Sequence, residues 1–533
     1  MADTTATFDF STWPPALSKA QLDAITLYAT TYALSHGVLY LPPAKHQPTV
    51  PTAAIHAPIS LFPSPVPRRL FEYARKIQRT YNLLYARIAM DEEFLDRVMG
   101  ADEGVGKVDD FIGQLWKGWK QLRDAGLAQP LHLGLFRSDY LLHYALKDSL
   151  SIKQVEFNTI SVSFGSLSQR TAELHRYLLA ATRYYDASPY FKLDNFPSND
   201  TIAGLASGLA QAHEAYSVDD SQILFVVQPG ERNVFDQRPL EYELLEKYSI
   251  RIIRQTFDEL ALSASVDPVT SVLRISCSPD LQPSGVIEIS TVYYRSGYMP
   301  HEYPTASHYA TRFHLERSKA IKCPTVALQL AGGKKVQEVL TQPGVLEYFL
   351  ANEEKYGRDT LPAEEINNVR KSFMGMWGLD VGEDLQNPDH DAMKAGREEY
   401  GVRKAREAAS SLVLKPQREG GGNNIYKEDI PPFLDILPPQ ERSAWIAMEL
   451  IHPPENFGNY LIRAGTTDLE SRTPVKAEVV SELGIFGWAL FGGPDKQVVE
   501  REVGWLVRTK GKESNEGGVA TGFSVLDSLL LVD

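Results

Sequence analysis

Ile223-Leu224-Phe225-Val226-Val227 is an unbroken apolar run, the pattern of a strand buried on both faces. A helical pattern over 235–247 follows it, and then a second apolar strand, Ile250 to Thr256. Strand, helix and strand at this spacing predict a βαβ unit with a parallel sheet. Val286 to Tyr294 adds a further strand and 305–321 a helix, so 222–330 is expected to form one α/β domain.

The flanking sequence has a different grain. Residues 18–36 read as a helix that opens at Ser18 and closes at Gly37, and a proline-rich connector (Pro42 to Pro67) leads to helical patterns over 67–98 and 107–125. Leu131 to Tyr140 reads as a strand ending in the polar group Arg137-Ser138-Asp139. Lys153 to Ile160 is another, followed by the Ser161–Ser166 turn and a helix over 168–187. Beyond 330, helices give way to strands at Leu412–Lys415, Trp445–Ile451, Val479–Leu490 and Gly504–Thr509, the order of an α+β region. Two polar insertions, 353–370 and 465–477, read as surface loops. The expected class is therefore α/β and α+β. Its divisions are an amino-terminal helical and strand region (1–221), the α/β unit (222–330) and a carboxyl-terminal region (331–533).

Composition excludes several functions. A formal charge of −14, with no basic run or basic helix, argues against nucleic acid as a partner. No apolar stretch approaches the roughly 18 residues of a membrane helix, and Met1-Ala-Asp-Thr-Thr carries no basic or apolar leader. Two cysteines, Cys277 and Cys323, make a disulfide framework unexpected, and Cys323 reads as a buried structural thiol. A cytosolic location is expected.

Chemistry concentrates in a few segments. Lys415-Pro-Gln-Arg-Glu-Gly-Gly-Gly-Asn-Asn-Ile-Tyr426 sets cations, a carboxylate, three glycines and two amides behind a short strand. Glycines let backbone approach a ligand closely, Lys415 and Arg418 suit phosphate, and Glu419 and Asn424 offer oxygen to a hard metal ion. The same composition also suits an ordinary flexible loop. Glu156 and Asn158 lie two apart on a strand and so share a face, with Phe157 turned away. Together they make a magnesium-type pair or a solvated strand face. Ser161 and Ser163 suit a carboxylate or a helix cap. Glu231-Arg232-Asn233 to Gln237 opens a helix at a strand end, where α/β sheets bind ligands, or forms a charged cap. Arg295-Ser296-Gly297-Tyr298 sits similarly, and Met448-Glu449-Leu450-Ile451 can offer backbone to an adenine edge.

Common alternatives lack their signatures. Gly332-Gly333-Lys334-Lys335 misses the Walker spacing. No G-x-G-x-x-G follows a strand, the histidines show no H-E-x-x-H, and no G-x-S-x-G elbow appears.

In order, the segments LGLFRSDY, KQVEFNTISVSFG, ERNVFDQR, YRSGYMP, LERSKAIKCP, QLAGGKKVQ, VLKPQREGGGNN, SELGIFG and LVRTK followed by GGVA resemble the eukaryotic-type glutathione synthetase family of ATP-grasp ligases, from about Ile59 to Leu526. The resemblance implies an ATP-grasp fold with an inserted smaller α/β substrate domain and amino-terminal helices. It also implies ligation of γ-glutamylcysteine with glycine and ATP through an acyl phosphate, with Mg2+, in a homodimer. Phosphoryl transfer needs positioning and charge neutralisation more than a nucleophile, which suits a chain rich in oxygen ligands and cations.

By this likeness Glu156, Asn158 and Glu419 match magnesium ligands. Lys334, Lys415, Glu449, Glu482, Lys510 and Glu516 match nucleotide contacts, with Glu156, Met448, Leu450 and Ile451. Gly420, Gly421, Gly422 and Asn424 match the loop over the triphosphate, beside Tyr426, and Arg137 matches the cation at the reacting carboxylate. Ser161, Ser163, Glu231, Asn233, Gln237, Arg295 and Tyr298 match the γ-glutamylcysteine site; Arg508, Val519 and Ala520 match the glycine end. Leu450 replaces a lysine common in this motif, Glu516 stands where aspartate is familiar, and 465–477 enlarges a loop. A sister ligase adding β-alanine or serine, and a nucleotide-binding regulator without catalysis, are the alternatives.

Overall fold

In the computed structural model, which describes residues 8–42, 50–144, 149–280, 284–380, 400–418, 422–464, 474–494, 497–513 and 524–533, the strand His132–Tyr144 is the axis of a 13-stranded mixed sheet. It pairs antiparallel with Leu150–Asn158 on one side and with the long strand Val475–Phe491 on the other. Val475–Phe491 continues into an antiparallel partner, Val499–Gly511. Pairings then run through Ser524–Asp527, Ile59–Ser60 and Gly458–Ile462 back to Val475–Phe491, closing a ring of five strands.

The other wing has a parallel centre, with Leu273–Ser276 and Ala264–Val266 added antiparallel at its edge. Gln222–Val226 pairs parallel with Ile252–Gln255 and with Val286–Tyr294, which pairs parallel with Ile321–Cys323. The crossover helix Val234–Tyr248 completes the expected βαβ unit. Ile223, Leu224, Phe225 and Val226 are all fully buried, as an apolar run covered on both faces requires. Lys322 pairs with His132, so this wing is continuous with the central strand. Cys323 is buried, and desolvation raises its thiol pKa, which keeps it an inert thiol.

A second sheet has four antiparallel strands in the order Met376–Gly378, Ile446–Glu449, Leu412–Lys415 and Ile425–Tyr426. Alternation along Leu412–Lys415 sends Leu412 and Leu414 into a core with Trp377, Val402 and Leu434. Val413 and Lys415 therefore take the opposite face, where Val413 packs with Met376, Ile446 and Met448.

Helix Lys19–Ser35 opens at Ser18 with a full capping box. The pattern over 67–98 resolves into two helices, Arg68–Ala89 and Glu92–Met99, because Asp91 caps the second through Phe94 N–H (3.0 Å). On the first, Tyr81 and Tyr85 stack on Phe157 at 5.5 and 3.9 Å, which fixes the buried face of Leu150–Asn158.

The expected loop over 353–370 is mostly helical, Glu353–Tyr356 and Ala363–Ser372. Its polar sequence conceals Ile366 and Val369, one helical turn apart, both buried in the main core. Arg87 holds the same stretch, donating to Phe349 O (2.8 Å) and Asp359 O (2.6 Å) and stacking on Tyr356 at 4.0 Å. Residues 465–473 of the second expected loop lie outside the described residues; beyond them, Val475 already begins a strand.

Helix Thr201–Tyr216 falls where the sequence pattern assigns no element, since Gly204 and Gly208 lower its helix propensity. Packing explains both glycines. A Cβ on Gly208 would lie 2.8 Å from Trp488 Cγ, and one on Gly204 2.6 Å from Val503 Cβ. Gly208→Ala should therefore overpack this contact by about 1–3 kcal/mol. The expected outcome is a thermal unfolding midpoint a few degrees lower, read by calorimetry, although alanine is the better helix former.

Candidate active site

The site grows from one irregularity in the central hairpin. Asp139 pairs with Glu156 while Tyr140 pairs with Gln154, so Val155 is an extra residue, a β-bulge. Arg137 and Asp139 on one strand, and Glu156 and Asn158 on the other, consequently share a face. Gln154 turns away from that face and donates to Ser138 Oγ (2.8 Å) in the interior. The carbonyl of Val155 accepts from Lys415 Nζ at 2.9 Å, so a cation from the four-stranded sheet reaches the main sheet at the bulge.

Asp139 is fully buried and accepts from Arg137 Nε (2.6 Å), Arg137 Nη2 (2.8 Å), Asn158 Nδ2 (3.0 Å) and Arg508 Nη2 (3.2 Å). Arg508 also donates to Glu482, its cross-strand partner. Asn158 gives its amide hydrogens to Asp139 and to Arg137 O (3.2 Å), which leaves its amide oxygen as the acceptor for a cation. Glu156 meets Lys334 Nζ at 2.8 Å. Burial disfavours its charge, but Lys334, with Lys415 and Arg508, pulls the carboxyl down to about 2. Glu482 is raised by burial and by Asp139 and Glu156, against the pull of Arg508. Two oxygen ligands, one held ionised, fit a hard divalent ion. Among the described residues no three His, Cys, Asp or Glu side chains converge as a metal cluster, and Glu419 lies outside them.

A second group adjoins the first through a strained turn. Ser161 and Phe164 take positive φ (53° and 70°). Arg137 Nη1 donates to Ser163 O (3.2 Å), while Arg295 donates to Ser163 Oγ (2.9 Å) and Val162 O (2.6 Å). Asp236, from helix Val234–Tyr248, accepts from the backbone N–H groups of Phe164 (2.7 Å), Ser166 (3.0 Å) and Leu167 (3.3 Å), capping a helix not its own. Glu231 accepts from Asn233 N (2.8 Å) and Gln237 Nε2 (2.6 Å), and Gln237 Oε1 accepts from Arg254 Nη2 (2.6 Å). The Tyr298 hydroxyl accepts from Gln228 (2.9 Å). Arg295 Nε and Asn233 Oδ1 are buried without a protein partner among the described residues, polar atoms that fit a polar ligand.

The residues expected to meet the nucleotide are more dispersed. Lys334 opens helix Lys334–Leu340 and joins Lys415 at Glu156. Gly422 has a φ of 90°, and Asn424 Nδ2 donates to Tyr426 Oη (3.3 Å) at the edge of the small sheet. Met448 is buried, and Glu449 accepts from Gly375 N (3.3 Å). Leu450 and Ile451 lie just past the strand, with Leu450 N donating to Ser411 O (2.8 Å). Lys510 stands two residues from Arg508, on the same strand face. Gly420, Gly421, Glu516, Val519 and Ala520, like Glu419, lie outside the described residues.

Several positions in this network were not singled out from sequence, and three of them join its parts. Asp139 and Asp236 are two. The third, Gln417, accepts from Lys335 N (3.0 Å) and donates to Ala444 O (3.1 Å), tying the helix of Lys334 to the strand of Lys415. For Asp139 the signal was its two-residue spacing from Arg137.

The model of the family described as eukaryotic glutathione synthase, ATP binding domain, matches residues 19–531. The chain belongs to this family. Human glutathione synthetase is 38% identical over 513 residues, 96% of this chain and 97% of that protein. The glutathione synthetase large chain of Schizosaccharomyces pombe is 35% identical, covering 96% of this chain and 98% of its own. A solved glutathione synthetase-like effector from Globodera pallida, in apo form, shares the fold. Its TM-score is 0.71 over 97% of this chain and 98% of that one, at 23% identity.

A nucleotide contact at Lys415, which the resemblance implies, would put a distinct demand on that side chain. Burial lowers its pKa to about 8, with Glu156 raising and Lys334 lowering it further. A polyphosphate prefers the ammonium, so above that pH binding must take up a proton. The Kd for ATP should rise by up to about tenfold per pH unit between about 8 and 10. Lys415→Arg should flatten the profile, as measured by titration calorimetry. A flat profile in the unmodified chain would remove Lys415 from the nucleotide site.

Proposed function

We propose that this chain ligates γ-glutamylcysteine to glycine, converting ATP to ADP and phosphate and releasing glutathione. Membership of the family makes it an ATP-dependent ligase. The observation that carries the residue assignment is a continuous polar path: Lys334 to Glu156, across the strands to Asp139, along its strand to Arg137, then Ser163 and Arg295. It links cations suited to phosphate with groups suited to an amino-acid substrate.

In this reading the dipeptide's amino-acid end meets Arg295, Ser161, Ser163, Asn233, Gln237, Glu231 and Tyr298, and its reacting carboxylate meets Arg137. That carboxylate attacks the γ-phosphorus of ATP, and ADP leaves. The glycine amine then attacks the acyl phosphate carbonyl, the C–O bond to phosphate breaks, and the amine loses a proton as the amide forms. Arg137 stabilises the oxyanion of that tetrahedral centre, while Arg508, Val519 and Ala520 accept glycine. Lys334, Lys415, Lys510 and the glycine loop hold the phosphates. Glu156, Asn158 and Glu419 would hold Mg2+, which supplies neutralisation of phosphate charge when bound.

The ATP-grasp assignment places the nucleotide between the four-stranded sheet and the central hairpin, and the reach of Lys415 to Val155 supports it. The divisions 1–221, 222–330 and 331–533 carry over as the amino-terminal, inserted substrate and nucleotide regions. Among the described residues no helix is long and apolar enough to cross a membrane. A cytoplasmic homodimer is part of the proposal; Leu27, Tyr28 and Leu34, exposed on helix Lys19–Ser35, suit such a contact.

Mass spectrometry of the product, with glycine, β-alanine and serine in competition, tests the reaction. ADP release should need both γ-glutamylcysteine and an amino acid, and glycine should give the highest kcat/KM. A preference for β-alanine would overturn the glycine assignment, and no release from folded protein would support binding alone. Arg137→Ala should lower kcat by about 100-fold or more while the Kd for ATP stays within about threefold. Equal losses in both would make Arg137 a general binding residue.

A further inference from the structure

We propose that Asp139 is a positioning residue that sets the separation of Arg137 and Arg508, and through them of the two substrates whose bond is formed. The inference rests on the ligase reading above and adds to it a residue with no assigned role.

Three adjacent strands present one face. Arg137 and Asp139 stand on His132–Tyr144, Glu482 and Gly484 on Val475–Phe491, and Arg508 on Val499–Gly511. Arg137 and Arg508 are therefore on strands that do not pair with each other, and no backbone hydrogen bond fixes one against the other. The Asp139 carboxylate does so. It takes the side-on fork of Arg137, at 2.6 and 2.8 Å, and receives Arg508 at 3.2 Å on Oδ2. Three of the five N–H groups of Arg137 are engaged in this way, two by Asp139 and one by Ser163 O. Among the described residues no partner takes the last N–H of either terminal nitrogen, and these two form the end-on fork that matches a carboxylate.

The strand between them is built to permit this contact. Gly484 lies directly opposite Asp139. A Cβ there would stand 2.8 Å from Asp139 Oδ1, 2.9 Å from Arg137 Cδ and 3.2 Å from Arg137 Cγ. A structural ion pair would need one guanidinium and would tolerate its neighbour. Here one carboxylate serves two guanidiniums and the Asn158 amide, and all of them border the space assigned to reacting groups. Replacing Asp139 with an amide removes the charge shared by both cations and turns an N–H donor toward one of them.

The test uses the full-length protein with two variants, Asp139→Asn and Gly484→Ala. KM for γ-glutamylcysteine and for glycine, kcat, the ATP Kd by direct titration and the thermal midpoint are measured for each. In Asp139→Asn, kcat/KM for both amino substrates should fall about 100-fold, with ATP Kd within about threefold of the parent. In Gly484→Ala, which keeps every charge, both should fall by about tenfold or more, again with nucleotide binding retained. A loss confined to one amino substrate overturns the proposal, because the two guanidiniums are then not jointly set. An equal loss of ATP affinity also overturns it, making Asp139 a scaffold residue. Should Asp139→Asn not fold, Gly484→Ala decides alone, and unaltered kcat/KM for both substrates refutes the proposal. Failure of the ligase reading is separate, since the unmodified chain would then release no ADP.

Discussion

A charge sealed from water must be matched by opposite charge and by hydrogen bonds, or the fold loses several kcal/mol. Asp139 is such a charge, and its matches come from three strands and from segments widely separated in the sequence. The pairing of His132–Tyr144 with Leu150–Asn158 and Val475–Phe491 is therefore constrained by side-chain electrostatics as well as by the backbone ladder. A one-residue slip of either partner would turn its polar residues to the opposite face. Asn158, or the Glu482–Gly484 pair, would then enter the apolar layer that holds Phe157 and Phe136.

The bulge at Val155 is what lets one strand serve both faces. In a regular ladder Gln154 would share the face of Glu156 and Asn158. With one residue inserted, Gln154 instead bonds to Ser138 in the interior, and the Val155 carbonyl can accept Lys415. A single extra residue thus separates a buried amide from an ionised carboxylate two positions away, and creates the acceptor through which the small sheet meets the large one.

This arrangement also explains what the sequence could disclose. Parity along a strand was enough to place Glu156 with Asn158 and to turn Phe157 away, and the apolar run at 223–227 was enough for the parallel wing. Parity also pairs Arg137 with Asp139. However, a polar group at the end of a predicted strand reads as solvated until the strands that cover it are known. Asp236 is hidden differently: it looks like an acid in the first turn of its own helix, and it caps Gly165–Thr182 instead. In 353–370 the polar residues are genuine and two buried contacts decide the structure. Each case depends on a long-range contact, and no local pattern encodes one.

The described cations of the central cluster are held before any substrate arrives: Lys334 by Glu156, Arg137 and Arg508 by Asp139, and Arg508 again by Glu482. Among the described residues, the cations Lys334, Lys415, Arg137 and Arg508 stand beside the carboxylates Glu156, Asp139 and Glu482. Such an arrangement suits anionic substrates without a large cost of reorganisation, since the cations are already fixed by neighbours. Lys415 is the exception. It donates to a neutral carbonyl, that of Val155, and burial draws its proton affinity down. In the proposed nucleotide site a polyphosphate would meet this ammonium, and the same ammonium joins the two sheets. On that proposal, nucleotide charge and the contact between the sheets are coupled through one side chain.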